Sequence, residues 1–186
     1  MDKPVFDSAA FISIDLNTGL ISTPGQDKLA LVSNDILALV PQSDELSRAA
    51  NLWGEKHGTA LSQRTDVQSA GIEVLSTHLG GTLAALGMGR IYLEIRHDAL
   101  VFRIIGGYSK EATDAKIAIL LGFITGYLTV VSGHPFAALD LGEKDGDRLV
   151  WVGNPDAVKQ VRRSMSKGRP PLAAIDDLEM GGSVSC

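Results

Sequence analysis

The sequence predicts an α+β domain: a four-stranded antiparallel sheet made from two helix–hairpin units, with helices packed on one face. Three observations lead there. Residues Ile91–Arg96 and Leu100–Ile105 form two strand-like runs, the first strictly alternating, separated by a polar turn at His97-Asp98. A second pair of runs, Phe136–Leu141 and Arg148–Val152, is joined by GEKDGD, whose Asp145-Gly146 is a strong hairpin-turn signal. Each pair follows an apolar helical stretch closed by glycine, GGTLAALG before the first and GYLTVVSG before the second. Helices that precede hairpins, rather than linking parallel strands, segregate into a layer of their own.

The other elements follow along the chain. A short strand is expected over Phe11–Ile14, with turns at Asn17-Thr18-Gly19 and Pro24-Gly25. Leu29, Val32, Ile36, Leu37 and Val40 fall at helical spacing, so a helix is expected from Lys28 to Val40. Pro41 ends it, lacking an N–H and disfavouring helix at the residue before it. Ser43 is the N-cap of the next helix, with Asp44 and Glu45 placed where the helix dipole favours acids. Leu46, Ala49, Ala50, Trp53, His57 and Leu61 line one of its faces. A further helix is expected from Val67 to Leu86, and the long apolar one from Lys110 to Val131, closed by Gly133. The last starts at Asn154-Pro155, an N-cap followed by an N1 proline, and runs to Ser166. Residues 1–166 are expected to form a single domain and residues 167–186 a flexible tail.

Composition narrows the function classes. A chain of 186 residues, 45% hydrophobic and 21% charged, supports one domain with a real core. A formal net charge of −5 argues against nucleic acid as a partner. Cys186 is the one cysteine, which leaves neither an internal disulfide nor a zinc cluster. Met1-Asp2-Lys3-Pro4 has no basic stretch with a long apolar core behind it, so a cytoplasmic location is expected. The dense apolar part of the long helix, Ile117–Val131, is 15 residues long and interrupted by glycines. A bilayer needs about 20 apolar residues, so a buried central helix is expected and no membrane span.

Chemistry-bearing motifs are scarce. Gly87-Met88-Gly89 invites comparison with a dinucleotide loop, but that loop needs a strand before it and a helix after it. Here the order is reversed and Tyr92 stands where a third glycine would be, so Gly87 reads as a helix C-cap. His57, His78, His97 and His134 have no ligand spacing, and no G-x-S-x-G elbow is present. The acids Asp140, Glu143, Asp145 and Asp147 do not follow the EF-hand pattern and fall around a hairpin turn. No cofactor or metal is expected, and no catalysis, the weakest alternative being an enzyme that uses His78 or His134.

Two G-x-x-x-G pairs remain, Gly54/Gly58 and Gly122/Gly126. A stripe without Cβ atoms lets a second helix approach closely, offsetting the roughly 1 kcal/mol helix cost of each glycine. With Trp53, Phe123 and Tyr127 they make a candidate pocket or a homodimer seam, the alternative being a crossing of helices within one chain. Lys159, Arg162 and Arg163 complement the dipole of the last helix and form a candidate docking patch for an acidic partner.

Several stretches in order, DLNTGLISTPGQDKLALVSNDILALV, AANLWGEKHGTAL, LGMGRIYLEIRHDALVFRI, LLGFITGYLTVVSG and FAALDLGEKDGDRLVWVG, resemble the 4-vinyl reductase domain over residues 11–163. They are more distantly similar to core subunits of the TRAPP tethering complex. The resemblance implies a mixed fold, frequently dimeric, with a cavity under its helices. It also implies a non-enzymatic role: a homodimeric interaction or regulatory subunit, or a sensor of a small hydrophobic or aromatic ligand. Phenol-sensing members hold zinc through cysteines around the last hairpin, and LDLGEKDGDRLVW has none, so a metal is not carried over.

Overall fold

The computed structural model of the chain describes residues 11–15, 20–23, 26–29, 37, 39–64, 72–96, 99–106 and 113–181. Strands β1 (Ser13–Asp15), β2 (Leu20–Thr23) and β3 (Gln26–Leu29) form an antiparallel meander. Helices α1 (Asp44–Arg64) and α2 (Ile72–Ala85) follow, then the hairpin β4 (Arg90–Arg96) and β5 (Ala99–Ile105). Helix α3 (Asp114–Ser132) leads into the hairpin β6 (Ala137–Lys144) and β7 (Asp147–Gly153), and α4 (Pro155–Ser166) and α5 (Pro171–Gly181) complete the described chain.

The four-stranded sheet has the order β4-β5-β7-β6, all antiparallel. The two units α2-β4-β5 and α3-β6-β7 therefore meet through the second strand of each hairpin. The first hairpin keeps one register from Arg90↔Ile105 to Arg96↔Ala99. The second is closed by Asp145 at φ 57° and Gly146 at φ 82°, the paired positive values that a tight hairpin turn requires. Gly146→Ala is accordingly expected to cost about 1 kcal/mol or more, read as a lower urea midpoint.

Side chains alternate across the sheet, and both faces are apolar. Ile91, Phe102, Ile104, Ala138, Val150 and Val152 pack under α1, α2 and α3. Ala99, Val101, Leu139, Leu141, Leu149 and Trp151 pack against Val158 and Val161 of α4 and Ala174 and Ile175 of α5. The α+β class and the four strands are as expected, but helices cover both faces rather than one. The reason is the run Leu149-Val150-Trp151-Val152, all buried, which presents apolar side chains alternately to each side.

The expected flexible tail is corrected by the same layer. Pro171 opens α5, and Leu172, Ala174, Ile175 and Leu178 fall on one stripe turned to the sheet. Arg169 clamps it with a two-pronged ion pair to Asp177, both contacts 2.8 Å. Residues 182–186, with Cys186, lie outside the described residues. The helix expected from Lys28 is also corrected, because Lys28 and Leu29 belong to β3, paired to β2 through Ile21↔Leu29 and Thr23↔Gln26. Most of the rest of that helix, and the turns at 17–19, 24–25 and 97–98, lie outside the described residues.

Capping follows the sequence closely. The Leu46 N–H donates to Ser43 Oγ at 3.1 Å, and the Asp156 N–H donates to Asn154 Oδ1 at 2.8 Å. Thr113 caps α3, and Gly133 ends it in the left-handed conformation. Among the described residues α3 alone is long and apolar enough to cross a membrane, and here it lies packed between α1 and the sheet.

Candidate functional site

The site begins with the two glycine pairs. Gly122 lies against Ser47, Ala50 and Asn51, Gly126 against Asn51 and Glu55, Gly54 against Phe123 and Tyr127, and Gly58 against Tyr127, Val130 and Val131. Partner numbers rise together along both helices, so α1 and α3 run parallel with backbone on backbone. Both stripes are spent on each other inside one chain. A homodimer seam along them would need a face that is already filled.

That close approach gathers the aromatic residues. Trp53 and His57 stand one turn apart on α1, and Phe123 and Tyr127 one turn apart on α3. The Trp53 ring meets the Phe123 ring edge-on at 5.1 Å between centroids and the His57 ring at 5.9 Å. His57 lies 5.4 Å from Phe123, and Phe123 stacks on Tyr127 at 6.1 Å. The N-terminal segment closes the far side: Phe11 stacks on His57 at 5.7 Å, and Thr23 Oγ1 comes within 3.4 Å of His57 Nε2. Offset and edge-on ring contacts of this kind add roughly 0.5–1.5 kcal/mol per pair beyond burial.

Burial sets the protonation of this cluster. His57 is 3% exposed, and desolvation lowers its pKa to about 4, so the ring is neutral at pH 7. Tyr127 is pushed above the ordinary phenol range by the same cause and keeps its proton. The Trp53 Nε1–H is buried without a hydrogen-bond partner among the described residues. A buried N–H left unpaired costs about 1–3 kcal/mol. Chemically the cluster offers one indole donor, one neutral imidazole and several ring faces.

The other expected residues are placed elsewhere. His78 is half-buried on α2 with its pKa lowered by burial, and His134 sits on the exposed turn after α3. No group of three His, Cys, Asp or Glu is gathered among the described residues. Asp140 pairs with Arg148 at 2.6 Å and Asp147 with Arg103 at 3.4 Å, so two of the hairpin acids neutralise arginines. On α4, Lys159 pairs with Asp156 at 3.0 Å, Arg163 lies exposed in the last turn, and Arg162 reaches a groove beside α1. Of the candidate set, Trp53, Phe123 and Tyr127 lie in one cluster, joined by His57, which was expected on the same helix face as Trp53 but not in that set, and by Phe11 and Thr23, which sequence reasoning did not single out. The available signal for His57 was its position four residues after Trp53, between Gly54 and Gly58.

No family model matches the chain, and no curated protein matches it. Among solved structures it is similar to the phenol-responsive sensory domain of the transcription activator PoxR, solved with phenol. That likeness has a TM-score of 0.61 at 14% identity, over 90% of this chain and 92% of the other, and it shows a shared fold. A vinyl-4-reductase family protein from Methanocaldococcus jannaschii is similar more loosely, with a TM-score of 0.41 at 12% identity over 64% and 72% of the two chains.

Proposed function

We propose that this chain is a non-catalytic sensory module that binds a small aromatic molecule bearing a hydrogen-bond acceptor, such as a phenol. The observation that carries the reading is the buried, unpaired Trp53 Nε1–H beside the neutral His57 in a cluster of rings. A phenolic oxygen would accept from the indole, and its ring would join Phe123 and His57 without any charged group being buried. The fold shared with a phenol-responsive domain supports the same reading. A regulatory role fits a binding module of this kind. A homodimer seated on the glycine stripes does not, because α1 and α3 already fill them.

The test is thermal unfolding with phenol and with toluene, which has the same shape but no acceptor. Phenol should raise the Tm by the linkage of ligand to the folded state, about 2.7 kcal/mol at a hundredfold excess over Kd. Toluene should raise it less, and Trp53→Phe should bring the two ligands level. Equal shifts by both ligands in the unmodified chain, or none by either at saturating concentration, would reject this site.

A further inference from the structure

A groove of about 620 Å3 runs beside the crossing of α1 and α3, and none of the rings of the cluster, Trp53, His57, Phe123 or Tyr127, lines it. Its walls come from the first half of α1, the middle of α3, the start of β6 and the end of α4. Leu52 and Leu121 provide an apolar lining, and Leu52 is 57% exposed, so the groove is open along one side. Arg48 of α1 and Arg162 of α4 both line it. Among the described residues Arg48 is held by one ion pair, an exposed one to Glu45 one turn back, at 2.9 Å. Such pairs contribute little and give way readily to a better-placed anion. Arg162 has no ion pair among the described residues.

The lining also contains a hydroxyl set to donate. Thr125 Oγ1 accepts the Ala138 N–H at 3.0 Å, which covers the edge of β6 and leaves the hydroxyl hydrogen free for an acceptor in the groove. Asp44 on the α1 side opposes a second negative charge and so fixes which way round an acidic occupant lies.

We propose that this groove docks an acidic, partly apolar peptide segment of a partner protein. One carboxylate of the segment binds Arg162 and the Thr125 hydroxyl, drawing Arg48 from Glu45, and an apolar neighbour covers Leu52 and Leu121. Guanidinium-to-carboxylate pairing supplies orientation, and the exposed leucine supplies desolvation. An open trough with charges at its rim suits a chain segment better than a small molecule, which a pocket normally encloses. Nucleic acid does not fit a chain of net charge −5 with an acid in the lining.

The experiment is fluorescence anisotropy on the full chain with three labelled peptides: SLEELADELS, its amide counterpart SLQQLANQLS, and SLKKLAKKLS. The acidic peptide should bind, the amide peptide about tenfold more weakly or worse, and the basic one not at all. Arg162→Gln and Leu52→Glu, both at exposed positions, should each weaken the acidic peptide about tenfold, while Arg163→Gln, the next residue on α4, leaves it unchanged. Equal binding of the acidic and amide peptides overturns the proposal. So does full binding to Arg162→Gln, or no binding of the acidic peptide up to about 1 mM.

Discussion

Gly126→Ala should unfold most of the molecule's stability, at least about 3 kcal/mol, although alanine is the better helix former by about 1 kcal/mol. A Cβ at this position would overlap the carbonyl oxygen of Asn51 and come within 3.0 Å of the Glu55 nitrogen. Both are backbone atoms of α1, so neither can swing aside as a side-chain tip would. Gly54→Ala meets the same obstacle from the other helix, overlapping the Phe123 carbonyl and lying 2.9 Å from the Tyr127 nitrogen. Relief requires the helices to separate, and α3 carries Leu120, Phe123, Ile124 and Tyr127, all essentially inaccessible to solvent. Moving them apart forfeits contacts across the largest part of the core.

The sign of the result discriminates. If the glycines were merely tolerated, Gly126→Ala would raise the urea midpoint. Gly80→Ala is the milder control, because its Cβ would press on a side-chain atom, Ile91 Cγ1 at 3.0 Å, and would reach backbone only at 3.8 Å, an ordinary contact with the Ile91 carbonyl. We expect that variant to lie within about 1 kcal/mol of the parent. A Gly126→Ala protein as stable as the control would contradict the backbone-to-backbone crossing.

What could be read ahead of the structure follows from the range of the interactions. The Asp145-Gly146 turn, the Asn154-Pro155 helix start and the Gly133 stop are local, each set by a residue or two, and each is present. The meander β1-β2-β3 was legible only in part. Leu29 fits a helical stripe as well as a strand, and what decides for a strand is its pairing with Ile21, outside any local window. The pairing of β5 with β7, which joins the two units, has no local signature at all. Helix α5 was legible, since Leu172, Ile175 and Leu178 recur every three residues after Pro171, but the surrounding Gly and Pro concealed it. The candidate site divides the same way. Its α1 and α3 rings follow from the glycine stripes beside them, whereas Phe11 and Thr23 reach His57 from the far end of the chain. A histidine on a helix face reads as a surface residue until the element that covers it is known.

The covered histidine gives the second large effect, a loss of stability in mild acid that belongs to one residue. The folded chain holds His57 neutral down to about pH 4, whereas the unfolded chain protonates it near its ordinary value of 6.5. Between those values the unfolded state binds a proton that the folded state excludes, so the unfolding free energy falls as pH falls. The slope is about 1.4 kcal/mol per pH unit, giving a loss of about 3 kcal/mol by pH 4 and none above pH 7. Carboxylates and His78 also titrate in acid, so the informative quantity is the difference from His57→Gln, which keeps a polar group facing Thr23 but takes no proton. Urea midpoints should fall more steeply from pH 7 to 4.5 in the parent than in the variant, with the two curves running parallel above pH 7. Parallel curves throughout would mean that His57 takes up its proton inside the fold, and the ring cluster would then be open to water. The neutral imidazole beside Trp53 that an uncharged phenol needs would be lost with it.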